Sequence, residues 1–578
     1  MNTLSTIQEK KPRIYRKIGR EEQTKIVQAV KCGNSQRSVA EQYGISKNTL
    51  QHWVARKNDL QGRSDPNVVN FFESPSGLAW LHQMSTATIL CFHQVGQCGI
   101  PLISKYFTMV GINLFIGSSI PALQRVANQM DEELINFGNE EKAQLGPNMP
   151  LKDITIATDE NFHTDQMTLI SMDPASGMIL SEQLEEKRDT LTWERVVNEG
   201  IKGLNIRIIQ VTGDAAQGLT KLALDILHGN KSPDLFHVQQ DITKGLTSTL
   251  ARRVQQTEKA LQDIQEQKKE DLGWFSKKLK EVGSVDALGK RDKKRGKRAL
   301  KMEEEEKATK KKLEKVKEDY RQAQETRRMI TDTYHPFNLD TGEKQEPEEV
   351  KFKLENAYNV LEKLAKDVEC TEKQQEKLKK SRGMVHSMIQ TLMFFFAYLQ
   401  GVIQAMGLST FDAKVFQTVV SLEYLNLCLK KTKKKKAKVK LTQTILKLET
   451  ELKHHPRWIE IGPEQQEIWR RKALESALVF QRSSSCVEGR NSILGLKFHA
   501  FRRLSARKLT VCTVLHNFFI QRRDGTTAAE RFFGQKPRDL FTWLLDRMDM
   551  PTRPRKRHTV CKKKKKEELV AKLPSGRN

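Results

Sequence analysis

The sequence predicts an α+β protein of several domains, in which helices predominate and one block of strands forms a smaller core. Three observations lead to this prediction. The chain has 578 residues, and roughly 150 residues per domain gives about four domains. Helical periodicity covers most of the chain, whereas short β-rich runs cluster after residue 150. Hydrophobic residues make up 38%, so there is enough apolar material for real cores and wholesale disorder is excluded.

The charge and cysteine content narrow the class of protein further. Lys and Arg number 99 against 71 Asp and Glu, a net charge of +28. This excess is too large for an ordinary metabolic enzyme and predicts a polyanionic partner. The 8 Cys are scattered without a C-x-x-C pair, which argues against a disulfide scaffold or a zinc knuckle and fits a reducing compartment.

No membrane association is expected. The polar, basic N-terminal segment lacks the apolar core of a secretory signal. The most apolar stretch, roughly 384–408, is interrupted by His386, Gln390 and Gln400, so we expect a buried helix and not a membrane span. A cytoplasmic protein is the resulting expectation.

Residues 1–60 predict a helix-turn-helix DNA-binding domain. Three short helical patterns are separated at Gly33 and Gly44, and Ser35 and Ser46 are suitable N-caps. A generic three-helix bundle with a solvated charged face is the alternative. The residues expected on the exposed face of the third helix, and therefore at DNA, are Lys47, Asn48, Gln51, His52 and Arg56.

A linker at 58–65 leads into a predicted helical domain at 66–150. Within it, GIPLISKYFTMVGI followed by SSIPALQRVANQM has the order of a second helix-turn-helix. A purely structural bundle is at least as compatible with this pattern.

Residues 151–245 predict the first part of a catalytic core. Three β-rich runs, a helix, a fourth strand and another helix follow one another. An antiparallel meander followed by a crossover is the start of a ribonuclease H-like sheet. Asp159 is expected at the end of the first strand and Asp214 at the end of the fourth.

These two aspartates suggest a metal site, because the first and fourth strands of such a sheet are neighbours. Hard oxygen ligands suit Mg²⁺ or Mn²⁺, and a third carboxylate would allow two ions for in-line displacement at phosphorus. Alternatively, Asp159 is an ordinary strand-end carboxylate and Asp214 a helix N-cap.

Residues 246–470 predict a long helical insertion with a coiled coil and a Lys-rich segment. Apolar residues from Val350 to Val368 alternate spacings of four and three, which is typical of a coiled-coil seam. A Pro-bearing break at 333–349 is expected to turn the chain back. Eight Lys lie within 430–440, and the tail 551–578 is also basic; both are expected to be disordered or to bind phosphate.

Four motifs carry a resemblance to a known family. They are DENFH at 159–163, FHVQ at 236–239, SSSCVEGRN at 483–491 and HNFFIQRRDGTTAAERFFG at 516–534. The chain resembles bacterial insertion-sequence transposases of the DDE type over most of 66–250 and roughly 380–548. The resemblance implies a ribonuclease H-like core whose second part is 471–550.

The same resemblance implies divalent metal, two Mg²⁺ or Mn²⁺ ions, and strand cleavage and transfer at terminal inverted repeats. By motif position, Asp159, Asp214 and Glu488 would be the catalytic metal ligands. Many members of the wider class carry Lys or Arg seven residues after the glutamate, where this chain has Gly495. Arg490 and Lys497 are the candidate substitutes.

The residues themselves also favour Glu488 over Glu475 as the third carboxylate. Glu475 lies in an amphipathic helix and can pair with Arg471, whereas Glu488 lies among small residues that allow a nucleic acid to approach. Arg490, Asn491 and Lys497 are then expected to contact DNA. Two further expectations are that His237 is buried and satisfied, and that Phe532 and Phe533 pack inward.

The leading hypothesis is therefore a transposase acting on double-stranded DNA, both element ends and target, as a homo-oligomer assembled on that DNA. The alternative is a catalytically inactive or domesticated transposase-derived DNA-binding regulator. A structural coiled-coil scaffold is a third hypothesis, against which the strand-rich block and the C-terminal motifs argue.

Overall fold

The computed structural model describes residues 18, 20–61, 64–163, 165–214, 216–501 and 503–551. The chain forms two compact units. The first comprises Met1–Gln144, Leu504–Thr527 and Lys536–Asn578, and the second Leu145–Arg503 and Ala528–Gln535. The segment predicted as the second part of the core, 471–550, is thus divided between the two units. Apart from residue 551, the predicted basic tail lies outside the described residues.

The first unit is helical throughout its described part. Its helices are α1 Arg20–Lys31, α2 Gln36–Gln42, α3 Lys47–Gln61, α4 Pro66–Glu73, α5 Pro75–Thr88, α6 Ile100–Met109, α7 Ile120–Leu145, α21 Ala506–Phe518 and α23 Leu540–Arg547, with a π-helical turn at Ile89–Val95 and a 3-10 turn at Ile112–Leu114. The helical character predicted for 66–150 is confirmed up to the end of α7, while the linker predicted at 58–65 begins later because α3 extends to Gln61.

Helices α1 to α3 occupy the three predicted positions. Gly33 and Gly44 both have positive φ, 97° and 64°, which glycine adopts at low cost between helices. The Ser35 side chain accepts from the backbone N–H of Ser38, and Ser46 Oγ accepts from that of Thr49 at 3.1 Å. The buried residues that hold the helices together are Ile26, Val27, Val39, Ala40 and Leu50.

The C-terminal helices of this unit pack on α7 through aromatic residues. The Phe137 ring lies edge-on to Phe518 and to Trp543, with centroids 5.5 and 5.6 Å apart. Arg538 donates to the buried Glu141. Part of the motif at 516–534 therefore stabilises the helical unit and does not belong to the sheet.

The second unit contains one five-stranded mixed sheet. Its strands are β1 Lys152–His163, β2 Gln166–Met172, β3 Ile179–Glu185, β4 Ile206–Gly213 and β5 Asn230–Pro233, with α8 Thr190–Ile201 before β4, and α9 Gln217–Lys221 and a π-helical turn Leu222–Ile226 before β5. The strand order is β3-β2-β1-β4-β5. Strands β1 to β3 are antiparallel, whereas β4 and β5 run parallel to β1, so the predicted meander and crossover are present.

Strand β1 is longer than predicted. It pairs with β4 only as far as Thr158 and Gly213, but it continues in a hairpin with β2 to His163. Asp159 therefore lies within β1, opposite Ile170, and not at the end of the strand. The hairpin carries the strand onward after β4 has ended.

The remainder of the second unit is helical. The helices are α10 Leu235–Ile242, α11 Ser248–Val282, α12 Lys290–Thr333, α13 Pro347–Asp367, α14 Glu372–Gly383, α15 Val385–Ala405, α16 Thr410–Lys431, α17 Lys435–Lys453, α18 Pro456–Glu460, α19 Gly462–Val479, α20 Ser485–Phe501 and α22 Ala528–Phe533, with a π-helical turn at Thr243–Thr247. The long helices predicted for 245–380 are thus confirmed, as is the break before Pro347. Phe532 and Phe533 are buried as expected.

Helices α11 and α12 form an antiparallel hairpin. Trp274 Nε1 donates to Asp292 at 2.9 Å near the connection, Lys268 pairs with Glu306 at 3.1 Å further along, and Lys317 pairs with Glu258 at 2.7 Å beyond that. The 44 residues of α12 make a helix about 66 Å long at 1.5 Å per residue.

The coiled-coil prediction for Val350–Val368 is corrected. The predicted apolar positions are all buried, so the period is right. However, α13 packs against α12, α14 and α15 together, and its apolar face belongs to a many-helix core. A two-stranded coiled coil would have one partner helix along this face.

The apolar stretch and the Lys-rich segment are both helical. By length and composition Glu372–Ala405 could cross a membrane, and 44% of its most apolar window is buried within the protein. Met388, Leu392 and Phe395 on α15 lie in the helical core, in agreement with the predicted buried helix. The Lys-rich segment 430–440 spans the end of α16 and the start of α17, so the expectation of disorder is wrong there.

Candidate nucleic-acid processing site

Strand pairing brings two of the predicted carboxylates to neighbouring positions. Thr158 on β1 pairs with Gly213 on β4, so Asp159 and Asp214 follow this pair on adjacent parallel strands, which lie about 4.8 Å apart. Gly213 is required here, because an added Cβ would lie 2.6 Å from the Thr158 carbonyl oxygen. The close approach of the two backbones therefore fixes the positions of the Asp159 and Asp214 backbones.

Asp159 lies in a largely buried, negatively charged environment. Its Oδ1 accepts from the backbone N–H of Glu160 at 2.9 Å, and its Oδ2 accepts from Asn491 Nδ2 at 2.8 Å. Burial, and next the charge of Glu488, raise the pKa of Asp159 to about 7, while the Glu160 N–H and His237 act in the opposite direction. The structure therefore brings Asp159 and Glu488 into electrostatic contact, although they are distant in sequence.

Helix α20, which carries Glu488 in its first turn, is fixed to the sheet by the segment 479–484. Thr155 Oγ1 on β1 donates to the Val479 carbonyl at 2.8 Å, and Ser232 Oγ on β5 donates to that of Gln481 at 3.2 Å. Ser484 Oγ hydrogen-bonds to the buried Asp234. Ser484 of SSSCVEGRN therefore helps to join the helix to the chain that follows β5.

Asp214 lines a cavity of about 160 Å³ together with Asp234, His237 and Lys231. Lys231 comes from β5, where it pairs with Val211. Its Nζ is buried and makes no hydrogen bond within the described part of the chain. Burial lowers the pKa of Lys231 to about 8, against the opposing effect of Asp214, Asp234 and Glu160.

Lys231 and Asp234 were not predicted as site residues. The sequence NKSPD that contains them has no strand-like alternation and no recognisable motif. The one available signal was that this segment directly precedes FHVQ. Lys231 places a positive charge beside the carboxylates. This cation lies on strand β5, whereas the resemblance implied a cation on the helix that carries Glu488.

The expectation that His237 is buried and satisfied is corrected. Its side chain is 25% exposed, and Nε2 lies 4.0 Å from Asp234 Oδ2. It lines the same cavity as Asp214 and is close enough to affect the pKa of Asp159. His237 lies in the first turn of α10, close to the end of β5. It therefore belongs to the candidate site.

Arg490 and Lys497 do not reach a surface where DNA could contact them, which corrects their predicted role. Both residues are buried, with 3% and 6% exposure. Arg490 forms a two-pronged ion pair with Glu182 on β3, at 2.7 and 2.6 Å. Both charged side chains are removed from water, so the guanidinium is engaged in holding α20 against the sheet.

Gly495 is also explained by the packing of α20. An added Cβ there would lie 3.2 Å from His163 Nε2 on β1, and His163 stacks on Phe498 with centroids 4.6 Å apart. A side chain at this position would require the histidine ring to shift by a few tenths of an ångström. The absence of a side chain at Gly495 therefore lets His163 pack closely against α20.

The residues around Asp159 have the donor chemistry that a hard divalent cation prefers. Asp159, Asp214 and Glu488 supply carboxylate oxygens, and a cation would offset the repulsion that raises the pKa of Asp159. In the part of the chain that the structure describes, however, no three His, Cys, Asp or Glu side chains are grouped closely enough to hold a metal ion. The carboxylates approach one region without forming a closed ligand set.

The remaining predicted residues are placed as follows. Lys47, Asn48, Gln51 and His52 are exposed on α3, whereas Arg56 on the same helix is half-buried. Glu475 on α19 pairs with Lys472 at 3.0 Å, not with Arg471 as expected. Its side chain is 48% exposed, which agrees with a solvated role.

A comparison with protein families matches part of the chain. Residues 415–560 are similar to a family described as a family of unknown function, DUF6399. This range runs from α16 to beyond α23 and includes Glu488 and Asn491. No curated protein matches the chain.

Proposed function

We propose that the protein is a transposase of the DDE type that binds the ends of a mobile element and cleaves and transfers DNA strands. The observation that carries this proposal is that α20 brings Asn491 into a 2.8 Å hydrogen bond with Asp159 and Glu488 close enough to raise the pKa of Asp159, beside the end of β4, where Asp214 follows. The strand order β3-β2-β1-β4-β5, with β4 and β5 parallel to β1, supports a ribonuclease H-like core. The motifs quoted above supply the resemblance.

In this proposal Asp159, Asp214 and Glu488 would hold Mg²⁺ or Mn²⁺, and the chemistry such an ion would supply is activation of the attacking hydroxyl and stabilisation of the leaving oxygen. Asn491 orients Asp159 through the 2.8 Å hydrogen bond to Oδ2. Lys231 reduces the negative charge around Asp214 and thereby favours the approach of a phosphate. His237 lies where it can exchange a proton with water in the cavity beside Asp214.

The first test is cleavage of DNA that carries the sequences flanking the gene. With Mg²⁺ or Mn²⁺ we expect the purified protein to nick this duplex at defined positions near the element ends, and we expect chelation by EDTA to abolish nicking. Unrelated duplex of equal length is the control. Nicking that persists in EDTA would contradict a metal-dependent site.

A second candidate function is a transposase-derived DNA-binding regulator without cleavage activity. The absence of a closed ligand set among the described residues is the observation that favours it. This candidate predicts specific binding to the flanking sequences with no nicking in either metal ion. The same assay therefore separates the two functions.

Sequence recognition is assigned to α3 in the first unit. Asn48 and Gln51 are exposed on the face that also carries Lys47, so the amide side chains are placed to read base edges in a major groove while the lysine contacts phosphate. The proposal also places the protein in the cytoplasm, on nucleoid DNA, as a homo-oligomer assembled on the element ends.

Lys47→Gln is expected to weaken binding to all sequences and to lower the salt slope of log K by about 0.9, the value for one phosphate contact. Gln51→Ala should instead reduce discrimination against a mismatched base by about 1–3 kcal/mol. Fluorescence anisotropy across a salt series measures both. Lys25→Gln, an exposed lysine on α1, is the matched control, and an equal loss of slope in that variant would rule out α3 as the recognition helix.

A further inference from the structure

A second basic site lies in the helical part of the second unit. It is a cleft of about 620 Å³, formed where the end of α12, the loop before α13 and the junction between α16 and α17 meet. The cleft is large enough to accept several phosphate groups, and the proposed catalytic residues do not line it.

The charge of the cleft is strongly positive. Eight Lys and Arg side chains line it against two Asp, and there is no Glu. Both aspartates are already paired, Asp332 with Arg328 at 3.2 Å and Asp340 with Lys440 at 2.6 Å. Neither aspartate is therefore available to compensate Arg327, Arg482, Lys433 or Lys434.

Lys353 pairs with Glu349, which does not line the cleft, at 3.9 Å. Four of the other cations are of two kinds. Arg327 and Arg482 are anchored by neutral oxygens, Arg327 by Thr243 Oγ1 at 2.6 Å and Arg482 by the carbonyls of Thr331 and Tyr334 at 2.9 Å each. Lys433 and Lys434 are exposed and have no carboxylate partner among the described residues. Two fixed guanidinium groups and two extended ammonium groups thus face one space.

The positions of the two lysines are set by the helix junction. Thr432 Oγ1 donates to the Cys428 carbonyl at 2.8 Å and ends α16, and α17 begins at Lys435 without a side-chain cap from Lys434. The first N–H groups of a helix without such a cap, together with the helix dipole, add positive potential at this end. Anions are favoured at such a position.

The rest of the lining argues against recognition of bases. Leu339, Ala437 and Leu441 supply apolar surface, and no Phe, Tyr or Trp lines the cleft within the described chain. His335 is buried and bonded to the Tyr424 hydroxyl at 2.6 Å, and burial holds the pKa of His335 well below its usual range. Without an aromatic platform for stacking, the contact is with phosphates alone.

We propose that this cleft binds the phosphate backbone of DNA without reading its sequence, as a contact separate from the catalytic site. The fold presents the cations as a cluster held by α12, α16 and α17, and the Lys-rich run predicted to be disordered or to bind phosphate forms part of its wall. The proposal does not depend on strand cleavage, since a protein without nuclease activity would keep the cleft.

The test is the salt dependence of binding to random-sequence duplex, measured with the full chain. The variant Lys433→Gln with Lys434→Gln should lower the salt slope by about 1.8, twice the value for one phosphate contact. The matched control, Lys435→Gln with Lys436→Gln, removes the same charge from exposed neighbours in the same run that do not line the cleft. We expect its slope to fall by less than half as much.

Two outcomes would overturn the proposal. Equal losses of slope in the two double variants would mean that the lysine run acts only as diffuse charge. Binding of inorganic triphosphate that requires Lys433 and Lys434, with the DNA salt slope unchanged in the cleft variant, would identify a site for a small polyphosphate. Nicking assays on the same variants measure strand cleavage separately. A wrong proposal for the catalytic site can therefore be distinguished from a wrong proposal for the cleft.

Discussion

Replacing Glu488 by glutamine is expected to abolish metal-dependent strand cleavage while binding to the element ends is retained. Glutamine keeps the size of the side chain but removes the charge that acts on Asp159. A bound cation contributes several kcal/mol of transition-state stabilisation, so its loss corresponds to a fall in rate of about a thousand-fold or more. Single-turnover nicking with Mn²⁺ measures this effect.

Glu475→Gln is the matched control for this substitution. Glu475 lies on the preceding long helix and its exposed side chain pairs with Lys472, so its replacement should leave nicking within a few fold of the original rate. An unchanged thermal unfolding transition of Glu488→Gln shows that the second unit of the variant is folded. Full cleavage by Glu488→Gln, or its loss in Glu475→Gln, would exclude Glu488 as the third carboxylate.

Replacing Arg490 by methionine is expected to destabilise the second unit by about 3–5 kcal/mol, because the buried Glu182 carboxylate would lose its charge partner. The pair joins α20 to β3 with both side chains almost fully buried. Hydrogen exchange of the β3 amides, followed by mass spectrometry, measures the change where it arises. We expect protection of these amides to fall while the helices of the first unit keep theirs.

Two further variants test whether the loss of stability comes from leaving the buried Glu182 carboxylate unpaired or only from losing one positive charge. Arg490→Met combined with Glu182→Leu removes both charges and should recover most of the lost protection. Arg195→Ala breaks the more exposed pair with Glu185, which lies on the same strand, and should cost about 1 kcal/mol or less. If Arg490→Met leaves exchange unchanged, the guanidinium does not hold α20 in place, and a direct role at DNA becomes the better explanation.

Local patterns were sufficient for strands β1 to β4, the three N-terminal helices and the long helices, because each depends on residues close together in sequence. The β-rich runs of β1 and β2 and the glycines at Gly33 and Gly44 are examples. The position of Asp159 was misjudged because the end of a strand is set by its partner: β4 stops at Gly213, whereas β2 carries β1 onward.

The fate of charged residues could not be predicted in the same way. Arg490 looks like a surface cation within RNSILGLK, and its partner Glu182 lies 308 residues away, so nothing local indicates burial. Lys231 stands in a short strand without apolar alternation. The seam from Val350 to Val368 gave the correct buried face of α13 but could not give the number of helices that cover it.

The connection between Asn491 and Asp159 spans 332 residues and has a consequence for protein synthesis. A ribosome adds about 5–20 residues per second, so the nascent polypeptide contains Asp159 and Asp214 for many seconds before α20 has been made. Products of early termination, or of proteolysis within the long helices, can carry the N-terminal helices and the strands but lack Glu488. Under the proposed function this order of elements acts as a safeguard for the host genome, because cutting becomes possible only after α20 has been made.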